Sequence, residues 1–128
     1  MRVLLVDDHD QLRRGMHAFL SATDGIEICG EAGNGLDAVS RAVELKPELI
    51  LMDIDMPFLN GIEATRQIKR LLPQIQVIVL TGSDTEEWSK AASDAGAAAI
   101  VPKTSSSMLL SAIERVQNGF GAVQGGEI

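Results

Sequence analysis

Residues 49–57 read LILMDIDMP, an unbroken apolar run that is followed at once by carboxylates. Four more short apolar runs occur along the chain, at Val3–Val6, Ile26–Cys29, Val77–Leu80 and Ala98–Val101. Continuous apolar runs of this length are typical of strands that are covered on both faces of a parallel sheet. Glu27 interrupts the second run, which predicts that this strand lies at an edge of the sheet with one face wetter.

The segments between these runs carry apolar residues at helical spacing. The predicted buried stripes are, in chain order, Leu12, Met16, Phe19 and Leu20; Leu36, Val39 and Val43; Ala64, Ile68, Leu71 and Leu72; Trp88, Ala91, Ala92 and Ala95; and Leu109, Ala112, Ile113 and Val116. Ser83 and Glu86 are spaced as a capping box at the start of the fourth helix. Helix ends are predicted at four breakers, which are Pro47, Pro73, Gly96 and Gly119.

Strands and helices that alternate five times predict an α/β fold, a (βα)5 doubly wound, five-stranded parallel sheet with helices on both faces. The domain is predicted to span residues 1–118, and the Gly-rich residues 119–128 to form a linker or disordered tail. In sheets of this kind, ligands bind beyond the carboxyl ends of the strands. The residues that follow each apolar run are therefore the candidates for a functional site.

Composition narrows the class of protein. The chain has 128 residues, a formal net charge of −7 and one cysteine, Cys29. These values fit one domain in the cytoplasm, and no run approaches the roughly 20 apolar residues of a membrane helix or suits a signal peptide. An acidic chain gains little from counterion release, so we expect no direct nucleic-acid binding. The charge favours a cation or a basic protein surface as partner, unless it serves solubility alone.

Polar residues follow four of the five runs. Asp7 and Asp8 follow the first, Asp53 the third, Thr81 the fourth, and Lys103 comes just after the fifth. Crowded carboxylates without histidine or cysteine as ligands favour a hard cation such as Mg²⁺, and a carboxylate can act as a nucleophile toward phosphorus. Lysine and threonine could hold phosphoryl oxygens, so the set suits phosphoryl transfer. An isolated Asp such as Asp7 would be an ordinary turn former or helix cap, and a lone Thr or Lys would indicate even less.

These residues resemble the receiver domain of two-component response regulators over essentially the whole chain. The matching positions are Val6-Asp7-Asp8, the block Met52–Pro57 leading to Gly61, Thr81-Gly82, and Lys103 after Gly96-Ala97. The details Asp7-Asp8-His9, Gly61–Ala64 and Pro102–Thr104 are similar to the NarL/FixJ (LuxR-type) branch, whose members often carry a C-terminal helix-turn-helix. The resemblance implies a flavodoxin-like receiver fold.

The resemblance also implies roles for the site residues. Asp53 would be the phosphoacceptor, taking a phosphoryl group from the phosphohistidine of a histidine kinase. Asp8, Asp53 and the backbone carbonyl of Asp55 would bind Mg²⁺, with Asp7 acting through water. Lys103 would pair with Asp53 and then with the phosphoryl group, toward which Thr81 would turn its hydroxyl. Such a domain is not an enzyme beyond its self-catalysed phosphotransfer and autodephosphorylation.

The implied output is a rearranged surface on the fourth helix, fifth strand and fifth helix, which would control transcription through a DNA-binding domain outside this segment. Homodimerisation on phosphorylation fits the family, although no residue of the chain indicates it. Four departures or variable positions bear on the switch. Ile100 stands where the family often has Tyr or Phe, so an aromatic toggle is excluded there. Asp55 and Ser83 occupy the positions that tune dephosphorylation, and Thr104 replaces a frequent proline.

Two rival functions stay open. A pseudo-receiver would keep the fold and bind partners without phosphorylation, although such modules usually lose a site residue. A haloacid-dehalogenase-like phosphohydrolase would use Asp53 and Asp55, but its motif normally opens the chain. His9 beside the acidic pair could be a metal ligand, but because Mg²⁺ prefers oxygen we expect it to cap the first helix or face solvent. We expect His17 to lie on a helix surface and not to be a phosphodonor. Cys29 is expected to be a small buried residue, and Trp88 to mark a partner surface or pack locally.

Overall fold

A computed structural model of the chain describes residues 1–56, 58–82 and 85–119. Within these ranges the chain forms five strands and five helices in strict alternation. The strands are β1 (Arg2–Val6), β2 (Glu27–Ala32), β3 (Leu49–Asp53), β4 (Gln76–Thr81) and β5 (Ala99–Pro102). The helices are α1 (Asp10–Ser21), α2 (Gly35–Leu45), α3 (Gly61–Leu71), α4 (Thr85–Ala95) and α5 (Ser106–Gln117).

The sheet is parallel throughout and has the strand order β2-β1-β3-β4-β5. Strand order reverses between β1 and β3, which creates the crevice where doubly wound folds bind ligands. The strand that carries Glu27 is at the edge, as predicted, and Glu27 itself is exposed. Cys29 on the same strand is half-buried, so it is less enclosed than the sequence suggested.

Alternation along the strands divides the core into two layers. One layer packs between the sheet and α2, α3 and α4, and the other between the sheet and α1 and α5. The central strand shows why the division arises, since Ile50 and Met52 belong to the first layer while Leu49 and Leu51 belong to the second. All four side chains are fully buried, which explains the unbroken apolar run.

The helix stripes were predicted with mixed success. All four residues of the α5 stripe are buried, and the small residues Ala92 and Ala95 of α4 are buried with Trp88 packed against the same layer. In α1, Leu20 is buried, but Leu12 and Phe19 are exposed. In α3, Ala64 and Ile68 are buried as predicted, but Leu71 is exposed.

The stripe predicted for α2 is wrong for two of its three residues, since Val39 packs against the core but Leu36 and Val43 do not. Leu36 and Val43 are exposed, whereas Gly35, Ala38 and Ala42 face the core. Small residues let this helix approach its neighbours closely, and that close packing decides its rotation against the preference of the larger side chains.

The helix ends agree with the predicted breakers. Lys46 caps α2 in the left-handed region just before Pro47, and α3 stops at Leu71 before Pro73. Gly96 follows α4 with φ 101°, a backbone conformation that other residues rarely adopt. The capping role expected of Ser83 and all of the predicted tail 119–128 except Gly119 lie outside the described residues. None of the helices in the described ranges has the length and hydropathy of a membrane-spanning segment.

Candidate functional site

The carboxyl ends of the strands bring the predicted site residues together. Asp53 and Thr81 are the last residues of β3 and β4, Asp7 follows β1, and Lys103 follows β5. The parallel register pairs Val6 with Met52, Asp53 with Leu80, and Thr81 with Pro102. These pairings align the strand ends along one edge of the sheet, so residues from distant parts of the chain share one crevice.

Lys103 joins the first and third strand ends. Its Nζ lies 3.0 Å from Asp53 Oδ1 and 3.4 Å from Asp7 Oδ2. Burial lowers the pKa of Lys103, but its hydrogen bond and charge interaction with Asp53, together with Asp7, more than offset this and raise it. The backbone N–H of Lys103 donates to the carbonyl of Thr81 at 2.8 Å, which holds the loop after β5 against β4. Lys103 therefore remains charged inside the pocket.

Asp53 is fully buried, and its two carboxylate oxygens have different surroundings. Oδ1 accepts hydrogen bonds from Lys103 and from the backbone N–H of Asp55, the latter at 3.2 Å. Oδ2 is buried and has no hydrogen-bond partner among the described residues. Burial raises the pKa of Asp53 to about 6, with the charge of Asp7 adding to the effect and Lys103 opposing it. An unpaired buried oxygen of this kind is costly unless a ligand binds it.

The turn after β1 presents two more carboxylates and an imidazole. Asp7 is buried, and its Oδ1 accepts a hydrogen bond from the backbone N–H of His9 at 2.8 Å. His9 Nδ1 lies 3.1 Å from Asp8 Oδ1 and 3.3 Å from Asp7 Oδ1. His9 is the N-cap residue of α1 and is largely exposed, as expected, but its side chain makes no capping hydrogen bond. Its ring instead faces the two carboxylates.

The donor atoms of this cluster suit a divalent cation. One ligand atom from each of Asp7, Asp8, His9 and Asp53 lies within 4.8 Å of the others. Carboxylate oxygens are the ligands that Mg²⁺ prefers, and Asp53, whose Oδ2 has no partner among the described residues, belongs to the same cluster. The residues present therefore fit Mg²⁺ on chemical grounds.

The other predicted positions are placed less centrally. Thr81 is fully buried at the end of β4, and Asp55 is exposed at the rim. Ile100 is half-buried on β5, pairs with Val79 and packs against the first core layer. Ser83 falls outside the described residues, so its position is not assigned.

Three further residues, Arg13, Asp10 and Glu31, support the site and were not singled out from the sequence. Arg13 of α1 donates to the carbonyl oxygen of Asp7 at 2.5 Å, to Glu31 Oε1 at 2.7 Å and to Asp10 at 2.9 Å. Glu31 Oε2 in turn contacts His17 Nδ1 at 2.5 Å. His17 is therefore a paired residue as well as a helix-surface residue. Only the i, i+3 spacing of Asp10 and Arg13 was visible in the sequence.

Gly61 positions the end of β3 from the opposite side. Its backbone N–H donates to the carbonyl of Ile54 at 3.0 Å. A Cβ at this position would lie 2.0 Å from the carbonyl oxygen of Asp53. Only glycine lets the first turn of α3 pack so closely against the strand end that carries Asp53.

Comparison with known proteins identifies the family. A family model described as "Response regulator receiver domain" matches residues 3–114, nearly the whole folded part of the chain. The chain belongs to the response-regulator receiver family. The receiver domain is 42% identical over 120 residues, 93% of its length, to the response regulator protein VraR of Staphylococcus epidermidis. It spans 57% of the length of that relative.

Solved structures place the receiver domain near the LuxR family. A two-component response regulator of the LuxR family from Aurantimonas sp. SI85-9A1 superimposes with a TM-score of 0.89 and 30% identity, covering 97% of this chain and 89% of that one. A DNA-binding response regulator of the LuxR family from Staphylococcus aureus has a TM-score of 0.85 and 28% identity, over 91% of this chain and 98% of that one. The flavodoxin-like fold and the family inferred from the sequence are confirmed.

Proposed function

We propose that this receiver domain takes a phosphoryl group from the phosphohistidine of a histidine kinase onto Asp53, in a reaction that depends on Mg²⁺. The observation that carries the proposal is the pocket around Asp53. The Asp53 carboxylate is buried, and its Oδ2 lacks a partner among the described residues. Lys103 Nζ lies 3.0 Å from Oδ1 of the same carboxylate, and Asp7 and Asp8 lie beside it. Positioning and charge neutralisation are what phosphoryl transfer chiefly requires.

In the proposed step, a carboxylate oxygen of Asp53 attacks the phosphorus in line with the phosphorus–nitrogen bond of the phosphohistidine. A new phosphorus–oxygen bond forms as the phosphorus–nitrogen bond breaks, and the departing imidazole keeps the bonding electrons and takes a proton from water. Lys103, freed from pairing with Asp53, pairs with a phosphoryl oxygen. Thr81 donates its hydroxyl to another. The product is an acyl phosphate on Asp53.

Asp8, Asp53 and the backbone carbonyl of Asp55 are the residues proposed to hold Mg²⁺, with Asp7 acting through water. When bound, the ion neutralises the charge that gathers on the phosphoryl oxygens. Asp55 at the rim, together with Ser83, is proposed to tune autodephosphorylation. The chain is not proposed to turn over external phosphate esters.

The proposed readout surface is formed by α4, β5 and α5. A groove of about 430 Å³ runs along β5 and α5 and is lined by Ile100, Met108 and Arg115 among others. Ile100 packs against the first core layer and borders this groove, so it is the proposed switch position in place of an aromatic residue. A change at Thr81 would reach it through the pairing of β4 with β5.

The LuxR-family relatives support a transcriptional output through a DNA-binding domain outside this chain, and residues 119–128 are proposed as part of the connecting linker. The receiver domain itself is not proposed to bind DNA or a membrane. We further propose that it works in the cytoplasm and that phosphorylation promotes homodimerisation.

Intact mass spectrometry after incubation with Mg²⁺ and acetyl phosphate tests the proposal. The wild-type protein should gain one phosphoryl group, and EDTA or Asp53→Asn should prevent it. Asp94→Asn provides a matched control, since it removes the same charge from an exposed position paired only with Lys90 among the described residues. A folded wild-type protein that binds neither phosphoryl nor beryllium fluoride would be a pseudo-receiver. Steady hydrolysis of a phosphate ester would instead identify a phosphohydrolase.

A further inference from the structure

His9 stands apart from the other pocket residues because it offers a nitrogen. Its ring is 59% exposed, so packing does not force it into its position. Its Nδ1 nevertheless lies within 3.3 Å of a carboxylate oxygen of both Asp7 and Asp8. The roles proposed for Mg²⁺ and phosphoryl transfer do not use this imidazole.

We propose that His9 is a nitrogen ligand for a divalent transition-metal ion, such as Ni²⁺, Cu²⁺ or Zn²⁺, which binds in the acidic pocket in competition with Mg²⁺. The inference rests on the pocket being the metal site proposed above, but it does not depend on phosphoryl transfer. Transition-metal ions would then be a second class of ion that binds this pocket, and by displacing Mg²⁺ they would interfere with signalling.

The arrangement of donors supports this assignment. Ligand atoms of His9, Asp7, Asp8 and Asp53 lie within 4.8 Å of one another. Bonds of about 2.0–2.2 Å to one ion would place opposite donors about 4 Å apart, so only a small contraction is required. The buried Oδ2 of Asp53, unpartnered within the described ranges, is a second and independent sign that the cluster is completed by a ligand.

The turn itself aims the imidazole at the cluster. Asp7 Oδ1 accepts the backbone N–H of His9 at 2.8 Å, while Asp7 Oδ2 lies 3.4 Å from Lys103 Nζ. Asp7 is thus held from both sides, and the backbone of His9 is fixed relative to it. The nitrogen that faces the carboxylates is consequently presented by an ordered turn.

The identity of the donor decides which ions benefit. Mg²⁺ prefers oxygen and gives up water reluctantly, so an imidazole adds little to its binding. Nickel, copper and zinc bind imidazole well and exceed the earlier divalent metals in affinity for mixed nitrogen and oxygen sites. A protonated His9 that merely balances the carboxylates would behave differently, because it would oppose every divalent ion alike.

Calorimetric titration with Mg²⁺ and with Ni²⁺ separates these roles. The protein is used without a histidine tag or a phosphodonor, and His9→Ala is compared with His17→Ala, whose imidazole pairs with Glu31 away from the cluster. Loss of a residue that only hydrogen-bonds a metal ligand typically lowers metal affinity about tenfold or more. We expect His9→Ala, which removes a ligand itself, to lower Ni²⁺ affinity by at least that factor and to lower Mg²⁺ affinity far less. His17→Ala should leave the Ni²⁺ to Mg²⁺ ratio unchanged. Parallel changes for both ions in His9→Ala would overturn the proposal.

Electron spin-echo envelope modulation spectroscopy of the protein with one equivalent of Cu²⁺ detects nitrogen ligation directly. The wild type and His17→Ala should show the modulation of a coordinated imidazole, and His9→Ala should lose it. A signal that is absent from the wild type or persists in His9→Ala would contradict the assignment. Phosphorylation of the wild type by acetyl phosphate with Mg²⁺ is scored separately, so failure of the proposed function is distinguishable from failure of this inference.

Discussion

The two oxygens of the Asp53 carboxylate differ in what they cost the folded protein. Oδ1 is compensated by Lys103 and the N–H of Asp55, but Oδ2 is buried without a partner among the described residues. Burial therefore raises the pKa of Asp53 from 3.8 to about 6, although Lys103 opposes the shift. The folded state holds the proton more tightly than the unfolded state does.

Asp53→Asn should consequently stabilise the metal-free protein at neutral pH. Because the folded pKa lies above the unfolded one, the stability contributed by protonated Asp53 is present below about pH 4 and is lost as the pH rises to about 6. The expected gain for the variant at pH 7 is up to about 3 kcal/mol, at about 1.4 kcal/mol per pKa unit. Urea unfolding in EDTA at several pH values measures it.

The pH dependence provides the control for this prediction. The two proteins should converge near pH 4, where Asp53 is protonated in the folded state, and diverge toward pH 7. A variant that is less stable than the wild type at pH 7 would mean that the Lys103 pair outweighs the burial of the charge.

At the scale of elements, the site depends on how closely α3 approaches β3. A Cβ on Gly61 would meet the carbonyl oxygen of Asp53 at 2.0 Å and the Cα of Ile54 at 2.9 Å. Both neighbours are backbone atoms, which cannot move aside as the end of a flexible side chain would. The spacing between these two elements is therefore set by the absence of one methyl group.

Gly61→Ala should destabilise the protein by about 1–3 kcal/mol, the usual cost of overpacking a tight contact, and should slow phosphorylation by displacing Asp53. Gly15→Ala is the matched control, because a Cβ there meets nothing within 4 Å in an exposed part of α1. It should stabilise the helix by about 0.5–1 kcal/mol. Urea unfolding of both variants decides the matter, and equal effects would refute the close contact.

A second link between elements joins α1 to β2 through Glu31. Burial raises the pKa of this carboxyl, but hydrogen bonds from His17 and Arg13 outweigh it, so the pKa lies below its ordinary value of 4.5. The stability that the charged form contributes is present above about pH 4.5 and is lost as the pH falls.

Glu31→Gln should therefore reduce stability at pH 7, and its difference from the wild type should shrink below about pH 4.5. Glu44→Gln serves as the control, since Glu44 is exposed and its i, i+3 contact with Arg41 is longer, at 3.6 Å. Thermal unfolding at several values between about pH 3 and about pH 7 compares the stability of Glu31→Gln and Glu44→Gln with that of the wild type. A difference that does not vary with pH would point to packing and not to charge.

At the scale of the whole molecule, the net charge is −7 and carboxylates gather at one sheet edge, so we expect folding to be sensitive to divalent cations. An ion that binds only the folded state stabilises it, by about 2.7 kcal/mol when its concentration is a hundred times the Kd. Binding at the pocket should thus be visible as a shift in global unfolding.

Mg²⁺ should raise the midpoint temperature of thermal unfolding of the wild type and of Asp94→Asn. The rise should be much smaller for Asp8→Asn. Both variants lose one negative charge, and only Asp8 belongs to the cluster. Ionic strength is matched with sodium chloride, so that charge screening is the same in every sample. An equal rise in all three proteins would show that Mg²⁺ acts by general screening.

Much of the fold and of the site could be predicted from the sequence. The features predicted were the parallel sheet, its edge strand, the α5 stripe and the convergence of Asp7, Asp53, Thr81 and Lys103. These features follow from local patterns, because a strand buried on both faces must be apolar throughout and parallel strands must end at a common edge. The roles of the site residues were inferred from chemistry and family resemblance, and they remain proposals.

Only the tertiary structure decided which face of α2 is buried, where Arg13 and Glu31 meet, and how far the pKa of Asp53 rises. Each depends on groups distant in sequence: close helix packing favours Ala38 and Ala42 over larger neighbours, and desolvation depends on everything that surrounds a carboxylate. The orientation of His9 toward Asp7 and Asp8 belongs to the same class, since a sequence places residues in order but does not aim their rings.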